Sequence, residues 1–389
     1  MKRFLTICFL ISVLAVNGQV DAGEDAAISA GIPYVLQGTF IGFFGEPVTA
    51  QDDYFVGPFD IGFDFVYFGS AFSQFAISPN GLVSFEVPGI IGLSYWEPSM
   101  IPNDLFKKTI MGPYQDLFTR PIEPHSRFIY YKTIGETPGR KLVVGWCEAP
   151  MFNCNDKNST FQIVLNETSN IIENHLTIKP ECLANYDNKG THGLNFDENT
   201  GVVIPGRNWE AFTANEESWR FTPSGSEDYD FEEITFEPEI VVPENSVSWK
   251  WFESSYPGGR EVGSLSTVTV APLETTTYYA EITLCGGQKY VDEVVLTVIP
   301  VPNAFNPNSR IEENRRFRLL ADPPENAGSY MIYIYNRWGE LVYESDDMEE
   351  GWDGTFQGKL CPSGVYVWVI YLETGEEKLT NKGFVTLVR

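Results

Sequence analysis

Carboxylates are the side chains of this sequence that most readily suggest catalysis. The 389-residue chain contains 53 Asp and Glu residues and only three His. Hydrolysis of a glycosidic bond requires two carboxyl groups about 5–10 Å apart, and Asp116, Glu167 and Glu173 are the first candidates for such a pair. Because so many acidic residues supply candidate pairs by chance, the sequence favours a protein that is not an enzyme.

Flat aromatic rings are a second feature that would suit a glycan, because Trp combines a large apolar face with a polar N–H group. Four tryptophans are candidates for such a surface: Trp96, Trp146, Trp209 and Trp219. Core packing is the more common use of tryptophan, and we expect these four to lie in the core.

The histidines do not form a metal-binding pattern. His125, His175 and His192 contain no i, i+4 pair and no His-x-His pair, whereas zinc sites usually place ligands at short regular spacings. The sequence also lacks a Gly-x-Ser-x-Gly motif, a Walker loop and a Gly-x-Gly-x-x-Gly unit. We therefore expect no metal and no cofactor.

The cysteines predict one disulfide. Cys154 and Cys182 flank two predicted strands, 160–165 and 171–178, whose pairing would bring the two thiols together. A bridge there would close a loop of about 29 residues and contribute roughly 3–4 kcal/mol in the chain-entropy model.

The remaining cysteines are expected to be unlinked. Cys147 lies within a predicted strand and is expected to be a buried thiol, although Cys147–Cys154 is the competing pair. Cys285 and Cys361 are each alone in a predicted domain, so neither has a partner nearby.

The composition and the N-terminal residues indicate an exported protein. The net charge of −27 repels phosphate backbones, which excludes nucleic-acid binding. Residues 1–18 have the pattern of a signal peptide, with Lys2 and Arg3 before an apolar core and the small residue Gly18 after it. No later stretch is apolar for ~20 residues, so we expect no membrane span. We expect Sec export through the periplasm and a secreted or cell-surface location.

Strand and turn patterns predict an all-β fold with three β-sandwich-like domains in tandem. Residues 31–224 form the large first domain, which contains a hairpin signal at Asn80-Gly81. Residues 225–239 carry charge of mostly one sign and are predicted to be an extended acidic linker. Short alternating strands with an early Trp predict an Ig-like sandwich over 240–300. Residues 301–389 form a small β module of strands and Gly-rich turns.

The order of motifs in 301–389 resembles the gliding-motility-associated C-terminal domain. That domain is the larger, type B sorting signal of the type IX secretion system of Bacteroidetes-type bacteria. The following residues carry the resemblance: Asn336, Arg337, Trp338, Gly339, Gly351, Trp352, Asp353, Gly354, Gly364, Tyr366, Trp368 and Gly383. The resemblance implies export by the type IX machinery, with an outer-membrane barrel as a further candidate partner.

Two tryptophans of this module are expected to stabilise it rather than to bind a ligand. Trp368 lies in 364–372, a predicted strand that is apolar on both faces and is therefore expected to be buried on both sides. Trp352 lies in a Gly-rich turn, from which a large ring can fold over a sheet edge.

Residues 55–200 resemble, more loosely, the extracellular nidogen-type β domain. The motifs include 63–69, the hairpin 78–85 and 161–165. The resemblance implies an adhesive or structural role, so the sequence predicts an exported binding protein whose ligand is an extracellular glycan or protein. A secreted glycan-degrading enzyme and a structural component of a surface filament are the alternatives.

Overall fold

The structure is a computed structural model of the chain. It describes residues 20–23, 26–29, 33–86, 93–117, 128–243, 246–299, 301–319, 327–374 and 377–389. The predicted signal peptide and His125 lie outside these residues. The described part consists of strands and loops with three short 3₁₀ segments and no α-helix: Tyr186–Asn188, Cys285–Gly287 and Glu312–Arg315.

The predicted all-β fold class is therefore confirmed. Within the described ranges, no helix has the length and apolar character needed to cross a membrane.

The chain divides into two compact units. The large unit comprises residues 41–248 and 283–289, and the split unit comprises the described residues up to 40 together with 249–282 and 290–389. The predicted number of three sandwich domains, and their boundaries, stay predictions.

Four short strands come first in the chain, and all belong to the split unit. They are β1 (Val20–Asp21), β2 (Ala26–Ser29), β3 (Tyr34–Gln37) and β4 (Thr39–Phe40). β1 and β4 pair with each other in antiparallel fashion.

The large unit contains fourteen of the described strands. They are β5 (Phe43–Pro47), β6 (Val56–Tyr67), β7 (Ser70–Ser78), β8 (Leu82–Ser84), β9 (Thr109–Tyr114), β10 (Ile129–Ile134), β11 (Lys141–Met151), β12 (Cys154–Asn166), β13 (Ile172–Lys179), β14 (Lys189–Asn195), β15 (Gly201–Ala211), β16 (Ala214–Pro223), β17 (Tyr229–Ile234) and β18 (Val241–Pro243). They form an eight-stranded sheet in the order β17-β16-β13-β12-β11-β10-β5-β18 and a six-stranded sheet in the order β15-β14-β9-β8-β7-β6.

Side chains of both sheets meet in one apolar core. Phe161, Ile163 and Leu165 alternate along β12 and are buried there, as the period of two requires. Trp146 of β11 stacks on Phe161 with ring centroids 4.7 Å apart and donates its indole N–H to the Pro79 carbonyl at 3.0 Å. Trp146 is thus a core residue, as predicted.

The predicted hairpin is present between β7 and β8, where Ser78 pairs with Leu82 across the turn. Gly81 supplies the positive φ of +84° that the turn requires. Asn80 is completely buried.

The prediction of an acidic linker over 225–239 is wrong for Tyr229–Ile234, which form the edge strand β17 beside β16. The residue types alternate along this strand, so the one-signed charge does not prevent pairing. Tyr229 is buried against Phe68, with ring centroids 4.9 Å apart, whereas Asp230 and Glu232 are exposed. An edge strand tolerates charges because one side of it meets solvent.

Two further segments cross the predicted domain boundaries. β18, at the start of the predicted Ig-like domain, pairs in parallel with β5 in the large unit. β3, at the start of the predicted first domain, pairs instead with Thr267–Val270 of the split unit. The alternation of a strand indicates which side chains are buried, but it does not specify the partner strand.

The middle part of the split unit contains five more strands: β19 (Ser248–Glu253), β20 (Arg260–Gly263), β21 (Thr267–Val270), β22 (Thr276–Thr283) and β23 (Lys289–Ile299). The main sheet has the order β2-β23-β22-β19-β20, and β21 pairs with β3. Trp251 is fully buried. Gly38 is required there, because a Cβ atom would lie 2.3 Å from the Trp249 ring.

The C-terminal module contains the last seven described strands: β24 (Ala304–Phe305), β25 (Ala327–Tyr335), β26 (Leu341–Ser345), β27 (Thr355–Phe356), β28 (Lys359–Leu360), β29 (Gly364–Thr374) and β30 (Glu377–Leu387). Five form a sheet in the order β24-β30-β29-β25-β26, and β27 and β28 form a separate hairpin.

The core of this module lies on one face of its sheet. Trp352 and Trp368 are buried, and Trp352 packs against Tyr366 with ring centroids 4.8 Å apart. The prediction that β29 is buried on both sides is wrong, because Val365 is 54% exposed and Val367 is only partly buried. A single covering layer buries one face of the strand and leaves the other with access to solvent.

Candidate functional site

The described residues include two disulfides. Cys154 and Cys182 are bridged with an S–S distance of 1.99 Å, which is the pair that the sequence predicts. Cys147 is bridged to Cys285, 138 residues away, so the predictions of a free Cys147 and a free Cys285 are wrong. Cys361 is a buried free thiol, as predicted.

The second bridge forms because the short segment that carries Cys285 belongs to the large unit. Residues 283–289 connect β22 to β23, yet they belong to the large unit. Gly286 lies so close to β13 that a Cβ atom would be 2.7 Å from Thr177 Cγ2. Cys285 is the only cysteine in the sequence of the predicted Ig-like domain, but it belongs to the same unit as Cys147 and can therefore pair with it.

The strongest candidate for ligand binding is a group of acidic and aromatic side chains in the large unit, which we call the Asp116 site. Its members are Asp53, Asn80, Tyr95, Trp96, Tyr114, Asp116, Tyr186 and Trp209. Tyr114 ends β9, and Asp116 follows two residues later, which is the spacing that places side chains on the same face of a strand.

Asn80 holds three parts of this site together. Its Nδ2 donates to Asp53 Oδ1 at 2.9 Å and to the Tyr95 carbonyl at 3.0 Å, while its Oδ1 accepts from the Leu117 N–H at 3.0 Å. The Tyr114 hydroxyl adds to this frame, because it lies 3.0 Å from the Tyr95 and Glu97 carbonyl oxygens. Asn80 and Tyr114 therefore fix the backbone of the loop that carries the exposed rings of Tyr95 and Trp96.

Asp116 is a buried carboxyl group without a hydrogen-bonding partner for its carboxylate in the part of the chain that the structure describes. The residue is only 5% exposed. Asn185 donates to its backbone carbonyl at 2.7 Å and leaves the side chain unpaired. Burial, followed by the negative charges of Asp53 and Asp52, raises the pKa of Asp116 to about 7.

Asp53 remains closer to an ordinary carboxylate. Burial raises its pKa, but the hydrogen bond from Asn80 acts in the opposite direction. The site therefore holds one carboxyl group with a strongly raised pKa next to one with a smaller shift.

Tyr114 and Tyr186 lie close enough to Asp53 and Asp116 to interact with their negative charges. Tyr95 and Trp96 are 42% and 46% exposed. Tyr186 packs against Trp209 with ring centroids 5.9 Å apart and also shares a hydrogen bond with Trp96. Trp96 and Trp209 were predicted to lie in the core, and this is wrong for both: Trp96 is exposed and Trp209 is only partly buried.

Several residues of the site have left-handed backbone conformations. The φ angles are +59° at Asp53, +45° at Tyr95, +45° at Tyr186 and +65° at Trp209. Such values are outliers for the bulky side chains of Tyr95, Tyr186 and Trp209 and cost about 1–3 kcal/mol each, whereas Asp adopts them more readily. Strained residues concentrate at functional sites, so their clustering here supports a role in binding.

The other two carboxylates that the sequence suggested for catalysis are held in ion pairs. Arg140 Nε donates to Glu167 Oε2 at 3.0 Å, and these contacts lower the pKa of Glu167 to about 2. Arg220 Nε donates to Glu173 Oε1 at 2.9 Å. The structure does not pair either Glu with Asp116.

The two described histidines are buried, and each forms a hydrogen bond with a neighbouring side chain. His175 Nδ1 lies 2.7 Å from Ser218 Oγ, and His192 Nε2 lies 3.0 Å from Asn174 Nδ2. Burial lowers the pKa of both, to about 4 for His175. No three His, Cys, Asp or Glu residues within the described ranges are grouped so that they could hold a metal ion.

The last of the four tryptophans, Trp219, is a partly buried residue of the large unit. The Arg207 guanidinium lies over its ring, 5.6 Å from the centroid. This arrangement does not leave a free ring face for a ligand on that side.

Sequence reasoning missed most of the Asp116 site. Asp53, Tyr95 and Tyr186 lie in no motif that the sequence suggested, and they meet only because the loops converge. The Asn80-Gly81 turn was predicted, but its side-chain partners are 27 and 15 residues away in the chain. No local pattern encodes those contacts.

The residues of the sorting motif divide into a buried and an exposed group. Trp352, Tyr366 and Trp368 are core residues. Gly383 is required beside them, since a Cβ atom would lie 2.5 Å from the Trp368 ring.

The remaining motif residues lie in turns or at strand ends. Gly339, Gly351, Gly354 and Gly364 all have positive φ. Asp353 Oδ1 accepts from the Thr355 N–H at 2.9 Å. Asn336, Arg337 and Trp338 form a turn in which Arg337 and Trp338 are exposed.

Two protein families match different parts of the chain. The family described as NIDO related matches residues 36–231, and the family described as CHU_C type IX secretion signal domain matches residues 299–387. No curated protein matches the chain.

A solved structure described as a tetra-tandem repeat in the extending region of a large adhesion protein is 8% identical to the chain. It covers 94% of this chain and 100% of that one, with a TM-score of 0.15. A likeness this weak supports no conclusion.

Proposed function

Because the chain belongs to the NIDO-related family and carries a CHU_C type IX secretion signal domain, we propose that it is an exported, non-enzymatic binding protein of the cell surface. The secretion signal supports secretion or cell-surface placement. The ligand is held at the Asp116 site of the NIDO-related unit.

The observation that carries this proposal is the combination of an unpaired buried carboxyl group with exposed aromatic rings. The Asp116 carboxylate accepts no hydrogen bond from a described residue, and Tyr95 and Trp96 are exposed rings on the loop that Asn80 anchors to the site. A sugar presents hydroxyl donors along its rim and an apolar C–H face, so it can use both features at once. An extracellular glycan is therefore the favoured ligand class.

A secreted glycan-degrading enzyme is the second candidate, and one observation favours it. Asp116, with its pKa raised to about 7, lies near Asp53, which has a smaller shift. Two carboxyl groups whose environments separate their pKa values are the pattern of a general acid and its partner. Binding is the better interpretation because Asp53 is engaged by Asn80 as part of the frame of the loop.

The test is a glycan screen with the purified full-length protein. We expect binding that falls by about tenfold or more in Trp96→Ala, because aromatic contacts dominate such sites. Trp338→Ala, which removes another exposed tryptophan far along the chain, is the matched control and should bind as wild type does. Equal binding by Trp96→Ala and wild type would contradict the assignment of the site.

The same preparation separates binding from catalysis. Release of reducing ends from a bound glycan, abolished in Asp116→Asn, would establish the enzyme and overturn the non-enzymatic proposal. Binding without release supports it.

A further inference from the structure

A groove on the C-terminal module has features that the fold does not require. It lies between the turn at Asn336–Gly339 and the β27–β28 hairpin, and its volume is about 680 Å³. We call it the Trp338 groove. The lining residues that matter here are Arg337, Trp338, Glu340, Lys359, Leu360 and Val365.

The turn that presents Trp338 is rigid without the help of its exposed side chains. Asn336 Oδ1 accepts from the N–H groups of Trp338 at 2.9 Å and Glu340 at 3.1 Å, and the Asn336 N–H donates to the Glu340 carbonyl at 2.9 Å. Gly339 supplies a φ of +79°. The backbone of the turn is therefore fixed without the Arg337 and Trp338 side chains, which are free to contact a partner.

Trp338 is 80% exposed, whereas Trp352 and Trp368 of the same module are buried. The Arg337 guanidinium lies 4.9 Å from the centre of its ring, which orients both side chains. Leu360 and Val365 are also exposed and continue the apolar surface. A preorganised Trp and Arg pair beside apolar walls has the composition of a binding hot spot.

The charges of the groove indicate what it binds. The side chains of Arg337 and Lys359 form no hydrogen bond or ion pair with any residue that the structure describes, although the chain has 53 acidic residues and 26 basic ones. The one carboxylate among these lining residues, Glu340, accepts a hydrogen bond from Asn336 Nδ2 at 2.8 Å. Two unpaired cations next to an apolar surface are complementary to a carboxylate next to an apolar side chain.

We infer that the Trp338 groove binds an extended segment of an export-machinery protein that carries an apolar side chain beside an acidic residue. This inference rests on the proposed export of the chain. The volume suits a short peptide segment rather than the footprint of a folded domain. A second copy of this chain is a poorer occupant, because two chains of charge −27 repel each other.

The test uses the full-length chain, expressed in a strain with the type IX machinery. We expect Trp338→Ala and Arg337→Glu to lower the amount outside the cell by about tenfold or more, with accumulation in the periplasm. The purified variants should melt within about 3 °C of wild type, because neither side chain is buried. Lys359→Glu, which changes a solvent-exposed side chain, provides a third variant should either of the others fail to fold.

Two neighbouring exposed residues of the same module serve as matched controls. Ile311→Ala removes an exposed apolar side chain and Arg310→Glu reverses an exposed charge, and neither residue lines the groove. Both should be exported as wild type is. Wild-type export of the groove variants, or an equal loss in the controls, would overturn the inference.

Two further results separate this inference from its alternatives. If the wild-type chain is found outside a strain that lacks the machinery, the proposed export route itself fails. If wild type forms a dimer that Trp338→Ala disrupts, the groove binds a second copy and the machinery is not its occupant.

Discussion

Two carboxylates of the large unit respond to their surroundings in opposite directions. Asp116 is buried near other negative charges, which raises its pKa to about 7. Glu167 receives hydrogen bonds from Arg140, which lower its pKa to about 2. The same residue class therefore destabilises the folded state in one place and stabilises it in the other.

For Asp116→Asn we expect a gain in stability that depends on pH. The folded state binds a proton that the unfolded chain, with an ordinary carboxyl pKa of 3.8, releases at much lower pH. The destabilisation of the folded state by the Asp116 carboxyl group is therefore absent near pH 3, grows between about pH 4 and 7, and is complete above pH 7. The variant should be more stable than wild type at pH 8 by roughly 2–4 kcal/mol, measured by denaturant unfolding.

Glu167→Gln is the control with the opposite sign. Its carboxylate stabilises the folded state above the unfolded pKa, and this contribution disappears as the pH falls towards 2. The variant should be less stable than wild type at pH 7 and equal to it near pH 2. A pH-independent difference for both variants would show that their charges are not responsible.

Trp368→Ala should destabilise the C-terminal module by roughly 3–5 kcal/mol, because the side chain is only 3% exposed and its removal leaves a cavity. The expected measurement is a lower melting temperature of the full chain. Trp338→Ala removes the same residue type from an exposed position and should change stability by less than about 0.5 kcal/mol. Similar melting of the Trp368→Ala variant and wild type would contradict its structural role.

At the scale of elements, residues 283–289 show how a short segment can be recruited by another unit. They connect β22 to β23 of the split unit, while the turn closed by the Leu284 N–H and the Gln288 carbonyl at 2.8 Å belongs to the large unit. The bridge from Cys285 to Cys147 of β11 fixes this segment covalently.

We expect Cys285→Ser to lower the melting temperature of the protein. In the chain-entropy model a bridge between residues 138 apart contributes roughly 4–5 kcal/mol. Peptide mapping without reduction should recover Cys147–Cys285 and Cys154–Cys182 from wild type. Cys361→Ala, which affects the free thiol, should leave both linked peptides in place, and recovery of Cys147–Cys154 would refute the pairing.

At the scale of the whole molecule, the chain combines a NIDO-related unit with a secretion signal domain and a net charge of −27. A strongly acidic surface keeps a protein soluble and disfavours association with nucleic acids and with other acidic surfaces.

We predict that export of the full chain requires the type IX machinery. Antibody detection should find the protein outside wild-type cells and only inside cells that lack the machinery. A chain shortened by residues 299–387 should remain inside in both strains, because it lacks the secretion signal domain. External detection of the shortened chain would show that the signal lies elsewhere.

The sequence by itself determined the local features of this protein. The alternation in β12 and the Asn80-Gly81 turn follow from side-chain period and backbone sterics, which act over a few residues. The Cys154–Cys182 pair could be predicted because its flanking strands, β12 and β13, are neighbours in both sequence and sheet. The ordered motifs of the C-terminal module were sufficient to identify its family.

Only the tertiary structure decided which distant segments meet. Burial and charge determine the pKa of Asp116, and the charges are those of Asp53 and Asp52, which lie on a distant part of the chain. The Cys147–Cys285 bridge and the pairing of β17 with β16 likewise depend on where the chain returns. A pattern of alternating residues specifies which face of a strand is buried, but the free energy that selects its partner belongs to the whole core.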